Sequence, residues 1–167
     1  MAQHGKITIV RHLRAFHIHF SLSGLARFQP LAYAVLRVAY GVVIFTHGLP
    51  KALGTSHGSM ADPMAGSTRL IAEVMGLPFA PQLAVLVMLL ETLGAICLAA
   101  GFMTRLLALA FVVEVIGIAY ALGPVWPWID RGIEYPVMLA FTAIYMLATG
   151  GGRYSADHML ESKPADA

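Results

Sequence analysis

LAVLVMLLETLGAICLAAG, residues Leu83 to Gly101, is the stretch whose reading decides the fold. It is about 19 residues long, the length at which an α-helix crosses a hydrocarbon core of roughly 30 Å. Its one formal charge, Glu91, falls in the middle of the run. An ionisable group at that depth costs on the order of 3 kcal/mol on insertion scales, so it faces protein or water rather than lipid and needs a partner.

Working outward, three more apolar runs appear. Leu31 to Pro50, LAYAVLRVAYGVVIFTHGLP, is a first span that carries Arg37. On it Arg37, Gly41, Ile44, Gly48 and Lys51 share one helical stripe with His47 beside it, and the glycines suit close helix contact. Pro81 to Gly101 is the second span, and the tight turn Phe102-Met103-Thr104 leads to a third, Arg105 to Leu122, with Glu114 near its middle. Ile133 to Thr149 is the fourth, stopped by Gly150, Gly151 and Gly152. Between spans one and two, a Gly/Ser/Pro-containing loop from Ala52 to Gly66 precedes a short helix capped by Ser67. Its apolar face is Leu70, Ile71, Val74 and Met75; it is too short to span and reads as an interfacial or re-entrant piece. Pro124 and Pro127 bar a helix between spans three and four, where Trp126 and Trp128 suit the membrane interface.

The predicted fold class is therefore all-α, a transmembrane four-helix bundle with a short interfacial helix between spans one and two. Residues 1–30 form a basic lead-in that can lie on the membrane surface as an amphipathic helix, 31–152 the bundle, and 153–167 a polar tail. A signal peptide is the competing reading of the lead-in, but His17 and His19 interrupt its apolar run and a full span follows at once. The composition agrees: 58% apolar, 12% charged and a mean hydropathy of +0.72, against roughly 25% charged in soluble domains. With net charge +2 and no basic block, nucleic acid is excluded as a partner, and the excess of basic residues is better explained by membrane topology. Four spans put both ends on one side. That side holds Lys6, Arg11, Arg14, Arg27, Arg105, Arg153 and Lys163, with Arg37 nearest it, and the other holds Lys51, Arg69 and Arg131. The asymmetry predicts both termini in the cytoplasm of a multi-pass protein.

Charge placement constrains chemistry. Arg37 lies about 9 Å deep, and Glu91 and Glu114 each about 14 Å from a helix end. The difference is within reach of an arginine side chain, so the reading pairs Arg37 with Glu91 or Glu114; the alternative is that these charges only set helix register. Two acids against one arginine leave a carboxyl protonated or open to water, a condition that suits proton exchange. A second cluster is expected at the outer ends, from His47, Lys51, Asp130, Arg131 and Glu134, with Thr142, Tyr145 and Thr149 as a polar stripe facing inward. Cys97, the only cysteine, reads as a small buried hydrophobe and excludes an internal disulfide or thiolate cluster. One histidine within a span leaves haem unsupported, His17 and His19 are too sparse for zinc, and no phosphate loop or nucleophile–base motif is present.

Three segments carry a family resemblance: LRVAYGVVIFTHGLPKALG (Leu36 to Gly54), LLETLGAICLAAGFMTRLLALA (Leu89 to Ala110) and IEYPVMLAFTAIYMLATGGGRYSADHML (Ile133 to Leu160). Together, in this order and spacing, they resemble the DoxX family of small four-helix integral membrane proteins. The resemblance implies a subunit linked to sulfur or thiol redox or to oxidative stress, as in a thiosulfate/thiol:quinone oxidoreductase-like system of a prokaryotic inner membrane. It implies quinone as cofactor and leaves catalysis by the chain alone open. On this reading Glu91, Arg37 and Glu114 are the candidate catalytic groups, with Glu114 resting on depth alone. His47, Lys51, Glu134, Tyr135 and Tyr145 are the candidate headgroup contacts. Two alternatives remain: a non-catalytic scaffold that docks soluble redox enzymes or a larger membrane complex through its termini, and a small proton-coupled transporter centred on Glu91 and Glu114. Whether Gly41 and Gly48, or Gly94 and Gly101, pack within one bundle or between copies is open.

Overall fold

The long apolar runs fold as helices because inside a bilayer every backbone polar group must be satisfied within its own segment. The structure is a computed structural model and describes residues 23–162. After a single helical turn at Ser23–Ala26, helix α1 runs Gln29–Leu53 and ends on Gly54 in the left-handed conformation. Helix α2, Pro63–Arg69, continues into a wider π-helical turn at Leu70–Val74. Helix α3, Ala80–Ala100, is interrupted by a second π-helical turn at Leu90–Gly94, and α4 covers Thr104–Leu122. Helix α5, Glu134–Thr149, and the short α6, Ala156–Glu161, complete the order. Helices α1, α3 and α4 are long and apolar enough to cross a membrane. The 16 residues of α5 give about 24 Å, so α5 is the shortest of the four. This is the expected all-α membrane bundle, and its surface confirms the environment. Leu86, Leu93, Val113, Ile116, Met138 and Phe141 are all exposed, while the buried set includes Arg37 and Glu91. Buried charges and exposed large hydrophobes on the same long helices fit a lipid surround.

Helix α1 packs on α3 and α4 on α5. The α1–α3 seam depends on two small residues one heptad apart. A methyl on Gly41 would sit 2.7 Å from the Ala95 carbonyl oxygen, and one on Gly48 would sit 2.7 Å from the Glu91 backbone. These glycines therefore pack within one bundle. Between the helices lies a core that includes Tyr40, Ile44, Leu98, Phe111, Ala143 and Met146.

Several boundaries differ from expectation for identifiable reasons. Helix α1 continues past Pro50 to Leu53, because the missing proline N–H deprives only one carbonyl and the helix stops within a turn. Helix α2 begins four residues before Ser67; the Asp62 carboxylate accepts from the Ala65 N–H at 2.9 Å and Pro63 opens the first turn. Of its expected apolar face, Ile71 is buried and Met75 half-buried, while Leu70 and Val74 are exposed. The α5 stripe does not face inward: Tyr145 and Thr149 are exposed, and Thr142 Oγ1 donates to the Met138 carbonyl of its own helix. Ala143 and Met146 take the core side instead. The proposed surface helix within residues 1–30 lies largely outside the described residues.

Candidate functional site

The bundle has two ends. The near end holds the α3–α4 turn and the residues after α5; the far end holds α2 and the loops around it. Arg37 belongs to the near end. It is 2% exposed, and its guanidinium donates to the carbonyls of Ala99 at 3.3 Å, Tyr154 at 2.6 Å and Gly151. The chain after α5 hooks back to supply these carbonyls. Tyr33 fastens the hook by donating to the Gly150 carbonyl at 2.5 Å, and Ser155 caps α6 by accepting from the His158 N–H at 3.1 Å. Asp157 then accepts from the N–H groups of Met103 and Thr104, at 2.7 and 2.9 Å, where α4 begins. Burial pushes the Asp157 carboxyl up, but the N–H groups of Thr104 and Met103 and the nearby Arg37 charge outweigh it and hold it below its usual range. Tyr145 packs edge-on against Tyr33, ring centroids 5.6 Å apart, and so also belongs here.

The expected pairing of Arg37 with Glu91 or Glu114 is not formed. Gly48 lies level with Glu91, and the 11 residues from Arg37 to Gly48 separate the two charges by roughly 16 Å along the axis. Glu91 pairs instead with Lys51, Nζ to Oε2 at 2.5 Å, with Glu91 3% exposed. Two features bring them together. The π-helical turn widens α3 around Glu91, and the adjacent Thr92 hydroxyl donates to the Met88 carbonyl at 2.7 Å. The absent side chain of Gly48 lets α1 come close enough for Lys51, three residues on, to reach inward.

Glu114 of α4 meets this pair. It lies against the Glu91 carboxyl and feels the Lys51 charge, without a hydrogen bond of sound geometry to either. Among the described residues its Oε1 and Oε2 have no hydrogen-bond partner, although both are buried. The buried Tyr40 hydroxyl, within electrostatic reach of Glu114, is also unpartnered. Lys51, Glu91 and Glu114 are the charged residues lining a cavity of about 270 Å³. Its other lining residues are apolar except Ser67, and include Ile71 and Met75 from α2 and its π-helical turn and Gly117 from α4. Leu86 and Val113 line it while being 61% and 66% exposed, so its mouth lies on the lipid-facing surface.

The remaining candidates spread around the far end. His47 lies beside the pair and packs edge-on against His57 of the following loop, ring centroids 5.0 Å apart. The far cluster does not gather around Lys51: that residue turns inward to Glu91, and Arg131 donates to the Ser59 hydroxyl at 2.9 Å. Glu134 is half-buried at the start of α5 and Tyr135 is exposed. No group of three or more metal-ligating side chains converges among the described residues. A larger recess of about 760 Å³ at the near end is lined by Arg105, Asp157 and His158, and the first two are engaged in holding helices together. Asp157 holds the start of α4, and Arg105 donates to the Leu147 carbonyl at 2.9 Å. The reading by residue type missed Tyr40, Gly117 and the π-helical turn after α2 as parts of the site.

The DoxX family model matches residues 32–124, more than half of the chain, and the protein belongs to that family. The match takes in α1 to α4 and ends before α5, so the Ile133 to Leu160 motif lies beyond it. No curated protein and no solved structure matches the chain.

Proposed function

We propose that this DoxX family membrane protein is a quinone-interacting subunit of a system that oxidises sulfur or thiol compounds. The Lys51–Glu91–Glu114 cavity receives the headgroup. One observation carries the reading: a buried carboxyl with two unpartnered oxygens, beside an ammonium–carboxylate pair, in an apolar cavity that opens toward lipid. Cavities that hold small ligands share this mix of apolar wall and few convergent polar groups, and about 270 Å³ suits a single ring-sized headgroup rather than a whole lipid. A bound quinone supplies an acceptor for two electrons and two protons. The chain supplies position and protons. Lys51 Nζ, with one N–H directed to Glu91, keeps others for a carbonyl oxygen. The Glu114 carboxyl accepts from a hydroxyl or donates to a carbonyl according to its protonation, and His47 with His57 stands between the pair and the far-end loop. Arg37 has no part in headgroup binding on this reading. Electrons come from a partner enzyme, and both termini face the cytoplasm of a prokaryotic inner membrane, as the lysine and arginine asymmetry favours.

The test is purification in mild detergent followed by extraction of whatever small molecules come with the protein. The expected result is a stoichiometric quinone that is lost in Glu91→Gln and in Lys51→Met while Arg105→Gln keeps it. A quinone-free preparation that also fails to bind added short-chain quinone overturns the proposal.

A further inference from the structure

The cavity is lined by more acids than bases, an imbalance that a neutral headgroup leaves in place and a cation answers. Its charged lining residues are Lys51, Glu91 and Glu114, two acids against one base, and Lys51 is already committed to Glu91 at 2.5 Å. Glu114 is left with both oxygens buried and without a hydrogen-bond donor, and the buried Tyr40 hydroxyl within its electrostatic reach is unpartnered too. Every other lining residue is apolar apart from Ser67. A buried carboxylate in such surroundings is stabilised by an opposite charge brought close to it. A small inorganic cation would have to give up its water without a full set of oxygen ligands to replace it. An organic cation that carries its own apolar substituents loses much less on entering.

We propose that this cavity binds lipophilic organic cations, with the positive head against Glu114 and the apolar body along the wall formed by α3 and the π-helical turn that follows α2. This is a second ligand class for the site, independent of whether quinone occupies it. Size narrows the class: about 270 Å³ holds a quaternary ammonium with one ring or short chain, and longer substituents pass the exposed Leu86 and Val113 into lipid. Gly117 keeps that space open. It lines the cavity, and a methyl there would already stand 3.3 Å from Met75 Cε. Proton and cation compete for the Glu114 carboxyl, so affinity rises with pH. The titratable groups around that carboxyl are Glu91 from α3 and Lys51 and Tyr40 from α1.

The experiment measures binding of benzyltrimethylammonium, and of its uncharged isostere neopentylbenzene, to the full chain in detergent. The cation is expected to bind saturably and more tightly than the isostere, with affinity rising by up to about tenfold per pH unit. Glu114→Gln, which preserves size, should weaken the cation on the order of 30-fold while leaving the isostere unchanged. Gly117→Leu should weaken both. Equal affinity for cation and isostere, or cation binding indifferent to Glu114→Gln in protein whose helicity and elution are unaltered, overturns the proposal. Quinone retention is read separately, so loss of either ligand class is distinguishable from loss of the other.

Discussion

Two buried charge sites share one bundle, and they are finished to different degrees. At the near end the Arg37 guanidinium meets three carbonyls, and the hook that supplies them is itself tied down by Tyr33, Ser155 and Asp157. In the far half Lys51 and Glu91 satisfy one another, but Glu114 is left with two idle oxygens and a cavity beside it. A buried polar network that is fully satisfied rigidifies a fold, whereas one that is partly satisfied marks strain, an ion, water or a ligand. Among the described residues the near end leaves only the Thr104 hydroxyl buried and unpartnered, whereas the far half leaves a whole carboxyl so, beside a cavity.

That contrast is most exposed at Arg37. Arg37→Ala removes the donor for the Ala99, Gly151 and Tyr154 carbonyls and unfastens the hook, at a cost of about 3–5 kcal/mol. Unfolding in mixed micelles by rising SDS reports it. A shift no larger than that of the exposed Arg69→Ala would mean the near end is not the anchor. Next in size is Gly48→Val, which places side-chain atoms where α3 already stands and costs about 1–3 kcal/mol by overpacking. It also draws Lys51 away from Glu91, so labelling of Lys51 by an amine-reactive probe should quicken. Unchanged labelling would show that the pair does not depend on the close α1–α3 approach.

Much of this architecture was legible from residue spacing. The spans follow from apolar run length, the small-residue stripe of α1 from the spacing of Gly41 and Gly48, and the similar depth of Glu91 and Glu114 from a fixed rise per residue. The partner of Arg37 was not legible, because it is backbone: carbonyls of a hook that forms only after α5 turns back have no residue-type signature. Lys51 misled for the opposite reason. It flanks the span and reads as an outer-face charge, yet its long stem lets it point inward as easily as outward. The reading also stopped α1 at Pro50, three residues short of its end at Leu53. The turns at Leu70–Val74 and Leu90–Gly94 depend on tertiary packing and carry no spacing signal of their own.

A smaller effect is expected at Asp157, which holds the first N–H groups of α4 to the hook. Asp157→Ala should cost about 1 kcal/mol, as loss of a helix cap does. The pH dependence has a definite sign. The folded carboxyl is held below its unfolded value of about 3.9, so its contribution is complete above that pH and lost as pH falls through the lower folded value. The gap between wild type and Asp157→Ala should therefore be constant from neutral pH down to roughly 4 and close below it. A gap that closes nearer neutrality would show the carboxyl is not held by those N–H groups.

Glu114 should show the smallest effect on stability, although it is central to both proposals for the cavity. A buried acid without a partner contributes nothing to folding that an amide of the same shape lacks, and it costs whatever its desolvation leaves uncompensated. Replacing such a group is close to neutral or stabilising, whereas removing one half of a satisfied pair is strongly destabilising. Glu114→Gln is thus expected to move the unfolding midpoint by less than about 1 kcal/mol, in either direction, while Glu91→Gln, which strands Lys51 in the same cavity, is expected to lower it by more. The two substitutions are chemically identical and their side chains meet, so the comparison isolates partnership from burial. If Glu114→Gln destabilises as much as Glu91→Gln, then Glu114 is a structural member of the pair, and the far half of the bundle is as finished as the near end.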